Sequence, residues 1–364
     1  MLKKFIVAGL FIAFSLSMAA SANHSEETSG TVPEDGISLK ESTGFDIIET
    51  VDENNQIIRS FTREDRDEEE NQGTTAGSAP IEDDQYAETK ELLLALGMEQ
   101  DFIDNLSEDA LETYATCESL VGSISYSKTD ADGNQIYLEE AVAIEEAEAV
   151  SEPGKTEEGS RRSKRAAATK RWQQTETDSY MRLFYMVTYL GNGKYKFSTD
   201  ARWLTMPAFR GVDSIGSSAM TCTVENPTRS GYVQYNNYSR IDGKSNTKRR
   251  KLIFAKNNFR NVDKDNCYGS GAVFQLPLDS VGPEVEIRNT NLKAHYEYVG
   301  EISTPDQNVN FNTLGSYDHA TLRIGIGLPK LTMGKNIPGS VGLRIFGDSV
   351  IRCAEIASSI AYKP

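Results

Sequence analysis

Residues 181–203 read MRLFYMVTYLGNGKYKFSTDARW, and this stretch decides the fold class. In its second half Tyr195, Phe197, Thr199, Ala201 and Trp203 share one parity, against Lys196, Ser198, Asp200 and Arg202 on the other. Successive strand residues point to opposite faces, so this pattern predicts a strand with one apolar and one polar face. In the first half Met181, Leu183, Tyr185, Val187 and Tyr189 line a face of a preceding strand. Gly191-Asn192-Gly193-Lys194 is turn chemistry that joins the two as a hairpin. The alternation recurs in Leu292, Ala294, Tyr296 and Tyr298 against Lys293, His295 and Glu297. It recurs again in Leu322, Ile324, Ile326 and Leu328, and in Val341, Leu343 and Ile345. The last 200 residues hold about eight to ten such runs, with Gly, Asn, Asp or Pro between them and no helix longer than two turns. The predicted class is mainly β, a C-terminal antiparallel β-sandwich with one face of each sheet wet; a closed barrel is the alternative.

Working outward, the 364 residues are 38% hydrophobic and 25% charged, with a formal net charge of −16. The charge is unevenly divided. Residues 23–160 hold 37 Asp and Glu against 7 Lys and Arg, whereas residues 161–364 hold 17 against 29. An acidic half is joined to a basic half. Within the acidic half, residues 23–80 are poor in aromatics, which predicts a largely disordered segment. One short hairpin is possible there, with Phe45–Ile48 and Ile57–Phe61 about Asp52–Asn55. Residues 81–117 turn helical: Leu92, Leu93, Leu94 and Leu96 close an apolar stripe ahead of Gly97. A second short helix carries Phe102, Ile103 and Leu106, and Ser107 is an N-cap for a third holding Leu111 and Tyr114. Three helices of this size make a marginal unit, better suited to docking than to standing alone. Residues 118–160 read as a short hairpin and an acidic linker. The intervening Asp130-Ala131-Asp132-Gly133-Asn134 places its Gly one position early for a calcium loop, so a plain turn is predicted. Residues 161–364 form the basic β-sandwich domain.

The first 22 residues have the pattern of an export signal. Lys3 and Lys4 precede a twelve-residue apolar run, Phe5–Leu16, and Ala20-Ser21-Ala22 supplies the small-residue pattern for cleavage between Ala22 and Asn23. Twelve helical residues cover about 18 Å, short of the roughly 30 Å of a bilayer core. No later segment approaches the length of a membrane span, so no transmembrane segment is expected in the mature chain. The expected location is secreted or cell-envelope associated.

Four cysteines, Cys117, Cys222, Cys267 and Cys353, are too sparse for a disulfide-built scaffold and include no C-x-x-C. Cys222 shares parity with Met220 and Val224, and Cys353 with Ile351 and Ile345, so both should point inward. A Cys222–Cys353 bridge and two buried free thiols are both open.

The sequence contains only three histidines, His24, His295 and His319, with no nucleophile frame or metal-ligand spacing. No catalytic, cofactor-binding or metal-binding residue is therefore predicted, and no cofactor. Basic residues cluster at Arg161, Arg162, Lys164 and Arg165, and again at Lys244, Lys248, Arg249, Arg250 and Lys251. In an exported chain the second cluster is a candidate anion-binding site for an anionic cell-wall polymer or a carbohydrate; nucleic acid is not expected. The first is a candidate processing site at Arg165, where a cut would free the basic domain from an acidic cover. Tyr232-Val233-Gln234-Tyr235-Asn236-Asn237-Tyr238 suits either a sugar-stacking surface or an ordinary Tyr-rich strand.

Three groups of strings carry a resemblance. They are Glu91-Leu92-Leu93 through Leu106-Ser107-Glu108-Asp109; Trp203-Leu204-Thr205-Met206-Pro207 with Asp213-Ser214-Ile215-Gly216; and Asn291-Leu292-Lys293-Ala294-His295-Tyr296. Together they resemble uncharacterised exported proteins of Gram-positive bacteria, Bacillus and Clostridium relatives with no known activity, over roughly residues 85–330. The resemblance implies a compartment and nothing catalytic. The expected function is that of an exported, non-enzymatic binding protein acting through its basic β-domain. The alternative is a secreted hydrolase whose site is assembled only in the fold.

Overall fold

A computed structural model describes residues 36–63, 83–129, 135–151, 180–205, 211–264, 267–281, 285–303, 308–320, 331–337, 340–345 and 350–362. The expected export signal with Ala22 and Asn23, the turn expected at Asp130–Asn134, the basic run ending at Arg165 and the strand expected at 322–328 lie outside the described residues.

β1 (Ile37–Ser38) leads through one helical turn, α1 (Lys40–Thr43), into the hairpin β2 (Ile47–Val51) and β3 (Ile57–Thr62). Its turn is held by the Asp52 carboxylate, which accepts from the amides of Asn54 and Gln56 at 2.8 Å each. Three helices follow: α2 (Asp83–Ala95), α3 (Gln100–Ile103) and α4 (Glu108–Thr116). Gly97 ends α2 with a φ of 103°, which side chains disfavour, and the Ser107 hydroxyl caps α4 by accepting from the Ala110 amide at 3.2 Å. The hairpin β4 (Ser119–Thr129) and β5 (Gln135–Leu138) then precedes α5 (Glu140–Ser151).

Among the described residues of the second half, the regular elements are strands and one 3₁₀ turn at Lys256–Asn258. The strands begin with β6 (Tyr180–Tyr189), β7 (Lys194–Trp203), β8 (Val212–Met220), β9 (Cys222–Ile241), β10 (Lys244–Ile253), β11 (Phe259–Lys264) and β12 (Cys267–Gln275). β13 (Ser280–Val281), β14 (Val285–Ile302), β15 (Val309–Ala320), β16 (Leu331–Ile337), β17 (Ser340–Ile345) and β18 (Val350–Tyr362) complete the described chain.

The strands form an eleven-stranded sheet in the order β1-β2-β3-β4-β6-β7-β14-β9-β10, with β5 added to β4 and β13 to β14. A five-stranded sheet runs β11-β12-β8-β15-β18, and β16 and β17 pair separately. Every pairing is antiparallel. The chain crosses from the smaller sheet to the larger between β8 and β9 at Thr221, whose φ of 66° is unusual for a β-branched residue. The hairpin predicted at 181–203 pairs in a register that sets Met181 against Trp203 and Tyr189 against Tyr195.

Two apolar clusters define three layers. Between the sheets, Leu183, Tyr185, Phe197, Trp203, Ala294, Tyr296 and Tyr298 of the large sheet pack on Ile215, Ala272, Phe274, Phe311 and Tyr317 of the small one. On the opposite face of the large sheet, Leu92, Leu93, Leu96, Phe102, Ile103 and Tyr114 of the helices pack on Leu120, Ile124, Phe184, Met186 and Tyr232. The fold is mainly β, an antiparallel sandwich with a helical layer on one side.

Three expectations require correction. The polar face of β7 is not wet: Lys196, Ser198 and Asp200 are buried, because the helices cover it. The linker expected through 160 contains α5 over residues 140–151, since its Ala-Glu-rich sequence favours helix and Ala143 and Ala147 are buried. The domain boundaries expected at 80, 117 and 160 do not divide the described chain. β2 and β3 belong to the same sheet as the C-terminal strands, and β4 pairs with β6 over ten residues. Among the described residues no helix is long and apolar enough to cross a membrane.

Candidate functional site

α3 and the turn before it sit over β7 and β14, and there the acidic and basic halves of the chain meet. Glu99 lies 3.1 Å from Arg202, 3.1 Å from Lys293 and 3.7 Å from Arg182. Lys293 also lies 2.5 Å from Asp101, which reaches Arg249 at 3.4 Å. Four cations therefore face two carboxylates. Burial opposes ionisation of Glu99, but the charges of Arg182, Arg202 and Lys293 outweigh it and hold the carboxyl below its ordinary value. The Lys293 hydrogen bond does the same for Asp101.

This polar floor opens into a cleft of about 730 Å³, a volume in the range of small-molecule sites. Gln100 and Asn291 border the floor, and Arg202 lies there with its side chain 40% exposed. Leu94, Met98, Leu204, Ile144 and Ala147 make the apolar walls. α5 supplies the far rim with Glu140 and Glu148. Glu140 accepts from the Tyr126 hydroxyl at 2.5 Å, and that hydroxyl in turn accepts from Arg182 Nε at 3.2 Å. The rim is thus tied to the floor by one hydrogen-bonded chain.

Beside the floor, on the same face of β7 and β14, runs a second, largely buried charge network. His295 Nδ1 is 2.5 Å from Asp200 Oδ1, His295 Nε2 is 3.5 Å from Glu297, and Lys196 is 2.9 Å from Glu297. Phe102 and Tyr232 flank the imidazole, with ring centroids 6.4 and 5.2 Å away. Burial disfavours a charged imidazole, yet Asp200 and Glu297 prevail and raise it to about 9. Complete burial raises Asp200, against the pull of His295. Burial would also raise Glu297, but Lys196 and His295 hold it far below the ordinary carboxylate range.

A separate buried group lies between the sheets: Asp213 accepts from the Tyr317 hydroxyl and lies 2.7 Å from His319 Nδ1. Among the described residues no set of three or more His, Cys, Asp and Glu is arranged to hold a metal ion.

The residues singled out from sequence are dispersed. Lys244, Lys248, Arg249, Arg250 and Lys251 all lie on β10, exposed along its whole length. Only Arg249 and Lys251 turn towards the site, Lys251 donating to Asn105 at 2.9 Å and standing 4.1 Å above the Tyr232 ring. Cys222 is buried with a free thiol; the side chain of Cys353 lies outside the described residues. Cys353 lies on β18 at the irregularity opposite Tyr317 and Asp318, and Cys222 opens β9, where it pairs with Ile302 of β14. Glu99, Asp101, Arg182, Arg202 and Lys293 were not predicted as a site. Their one visible signal was cations alternating within β-strands opposite an acidic helical segment. No protein-family model matches the chain, and no curated protein matches it.

Proposed function

We propose that this chain is an exported, non-enzymatic binding protein that takes an acidic carbohydrate in the cleft. Arg202 carries this proposal: it is a cation of the cleft floor whose side chain stays 40% exposed, across from the rim that holds Glu140 and Glu148. Arg202 can receive a carboxylate or other anionic substituent, with the buried Arg182 and Lys293 adding positive charge behind it, while Asn291 and Gln100 offer hydrogen bonds to hydroxyls. The apolar walls suit the C–H faces of a sugar ring. Both carboxylates of the floor are held ionised by cations, so neither is poised as the general acid that glycoside hydrolysis requires. The buried Asp200 is raised, but it is paired with His295 and does not line the cleft. Export rests on the N-terminal signal pattern and on the resemblance to exported Gram-positive proteins, and an anionic cell-wall polymer is the natural source of such a ligand.

Calorimetric titration with digalacturonate, and with uncharged galactobiose, tests the proposal. Digalacturonate is expected to bind, galactobiose to bind at least ten-fold more weakly, and Arg202→Ala to lose most of the difference. Equal binding of the two sugars defeats the anion-binding proposal, and release of monosaccharide during the titration replaces it with the hydrolase.

A further inference from the structure

We propose that β10 is a docking edge for an extended acidic polypeptide, which adds to the large sheet as a further strand. This goes beyond the cleft. β10 ends the strand order of that sheet, pairs with β9 through ten consecutive residues, and is exposed at every position. The hairpin joining it to β9 fixes which backbone groups are free. Asp242 and Gly243, at φ of 50° and 78°, form the two-residue turn, so the flanking pair Ile241–Lys244 is hydrogen-bonded. Hydrogen-bonded and open pairs alternate from there. The Phe254 amide, donating to the Gly231 carbonyl at 2.9 Å, continues the same even-numbered series. Ser245, Thr247, Arg249, Lys251 and Ile253 therefore direct their amides and carbonyls away from β9, a five-residue ladder open to a partner.

Charge selects that partner. β10 reads KSNTKRRKLI, five cations and no acid in ten residues, ending in Leu252 and Ile253, which are 50% and 78% exposed. Cations on an edge repel a second copy of the same strand, a common safeguard against edge-to-edge pairing. The same cations favour a strand with Glu or Asp opposite Lys244, Lys248 and Arg250, because opposed charges across a ladder attract. An antiparallel partner then carries its apolar residues first, over Leu252 and Ile253, and its acidic residues after them.

The test uses the mature full chain and the peptide Val-Val-Thr-Glu-Thr-Glu-Thr-Glu-Thr-Glu, whose Glu residues fall opposite Arg250, Lys248, Asn246 and Lys244, with Val-Val-Thr-Lys-Thr-Lys-Thr-Lys-Thr-Lys as control. The acidic peptide is expected to bind and to slow hydrogen exchange at the five outward amides by ten-fold or more, and the basic peptide to do neither. Lys248→Glu with Arg250→Glu should weaken binding at least ten-fold. Thr247→Pro removes one outward amide and leaves the ladder to β9 intact, so it should do the same with no change in thermal unfolding. Failure of the acidic peptide to bind overturns the proposal. So does binding that leaves the five amides unprotected or is indifferent to Thr247→Pro. Polygalacturonate binding to β10 as tightly as the peptide also overturns it, since charge alone then accounts for the patch.

Discussion

His295 and Asp200 face each other at 2.5 Å across β14 and β7, both buried beneath the helical layer. Their neighbours Glu297 and Lys196 extend the contact into a chain of alternating charge. Such a chain requires both an acidic and a basic partner to be ionised in the interior, and its strength depends on pH.

His295 is raised in the fold to about 9, from an ordinary 6.5. A group raised on folding stabilises the protein fully below its unfolded value, and this contribution fades as pH rises through the folded value. The difference corresponds to roughly 3 kcal/mol. Denaturant titrations of the wild type and of His295→Gln should therefore show a stability gap that narrows by about this amount between pH 6.5 and 9.5. A constant gap would mean that the imidazole is neutral in the fold.

Trp203 is 3% exposed, donates from Nε1 to the Tyr317 hydroxyl at 3.2 Å and meets the Tyr317 and His319 rings edge-on. Trp203→Ala should cost about 3–5 kcal/mol in urea unfolding, through the cavity and the lost aromatic contacts. A cost under about 1 kcal/mol would show that the two sheets close over the gap.

Gly122 seats the end of α2 on β4. A Cβ at that position would stand 2.9 Å from the Leu96 carbonyl oxygen and 3.0 Å from the Phe184 ring. Gly122→Val should destabilise by about 1–3 kcal/mol and loosen α2, seen as faster amide exchange in residues 92–96 than in β6. Uniform exchange across both would argue against local displacement.

Trypsin cleavage after Arg165 should not separate the halves of the protein. β4 and β6 pair through ten residues, and the helices share a core with the C-terminal strands. The nicked protein should elute as one species in native size-exclusion chromatography and as two fragments in denaturant. Release of a basic C-terminal fragment under native conditions would restore the removable cover. N-terminal sequencing of the protein exported into the medium should begin at Asn23.

The sandwich was legible because Tyr195, Phe197, Ala201 and Trp203 alternate cleanly with polar residues, and the caps Gly97 and Ser107 located the helices. The site was not legible, for the same reason. Lys196, Asp200, Lys293 and His295 read as a solvated face, since alternation reports polarity and says nothing of what covers it. Only Phe184 and Met186, apolar on the parity opposite to Leu183 and Tyr185, signalled that the second face was buried as well. Pairing across more than ninety residues, as between Glu99 and Lys293, leaves no mark on local periodicity.

The place of β14 has a kinetic consequence. It lies between β7 and β9, so the large sheet is continuous only through a strand that begins at residue 285. The helical layer and the ten other strands of the large sheet are synthesised before it, yet the floor of the cleft lacks Lys293 until it arrives. Folding dominated by such distant pairings is slow. Under the export we propose, that delay would leave the chain open for translocation before its sheets close.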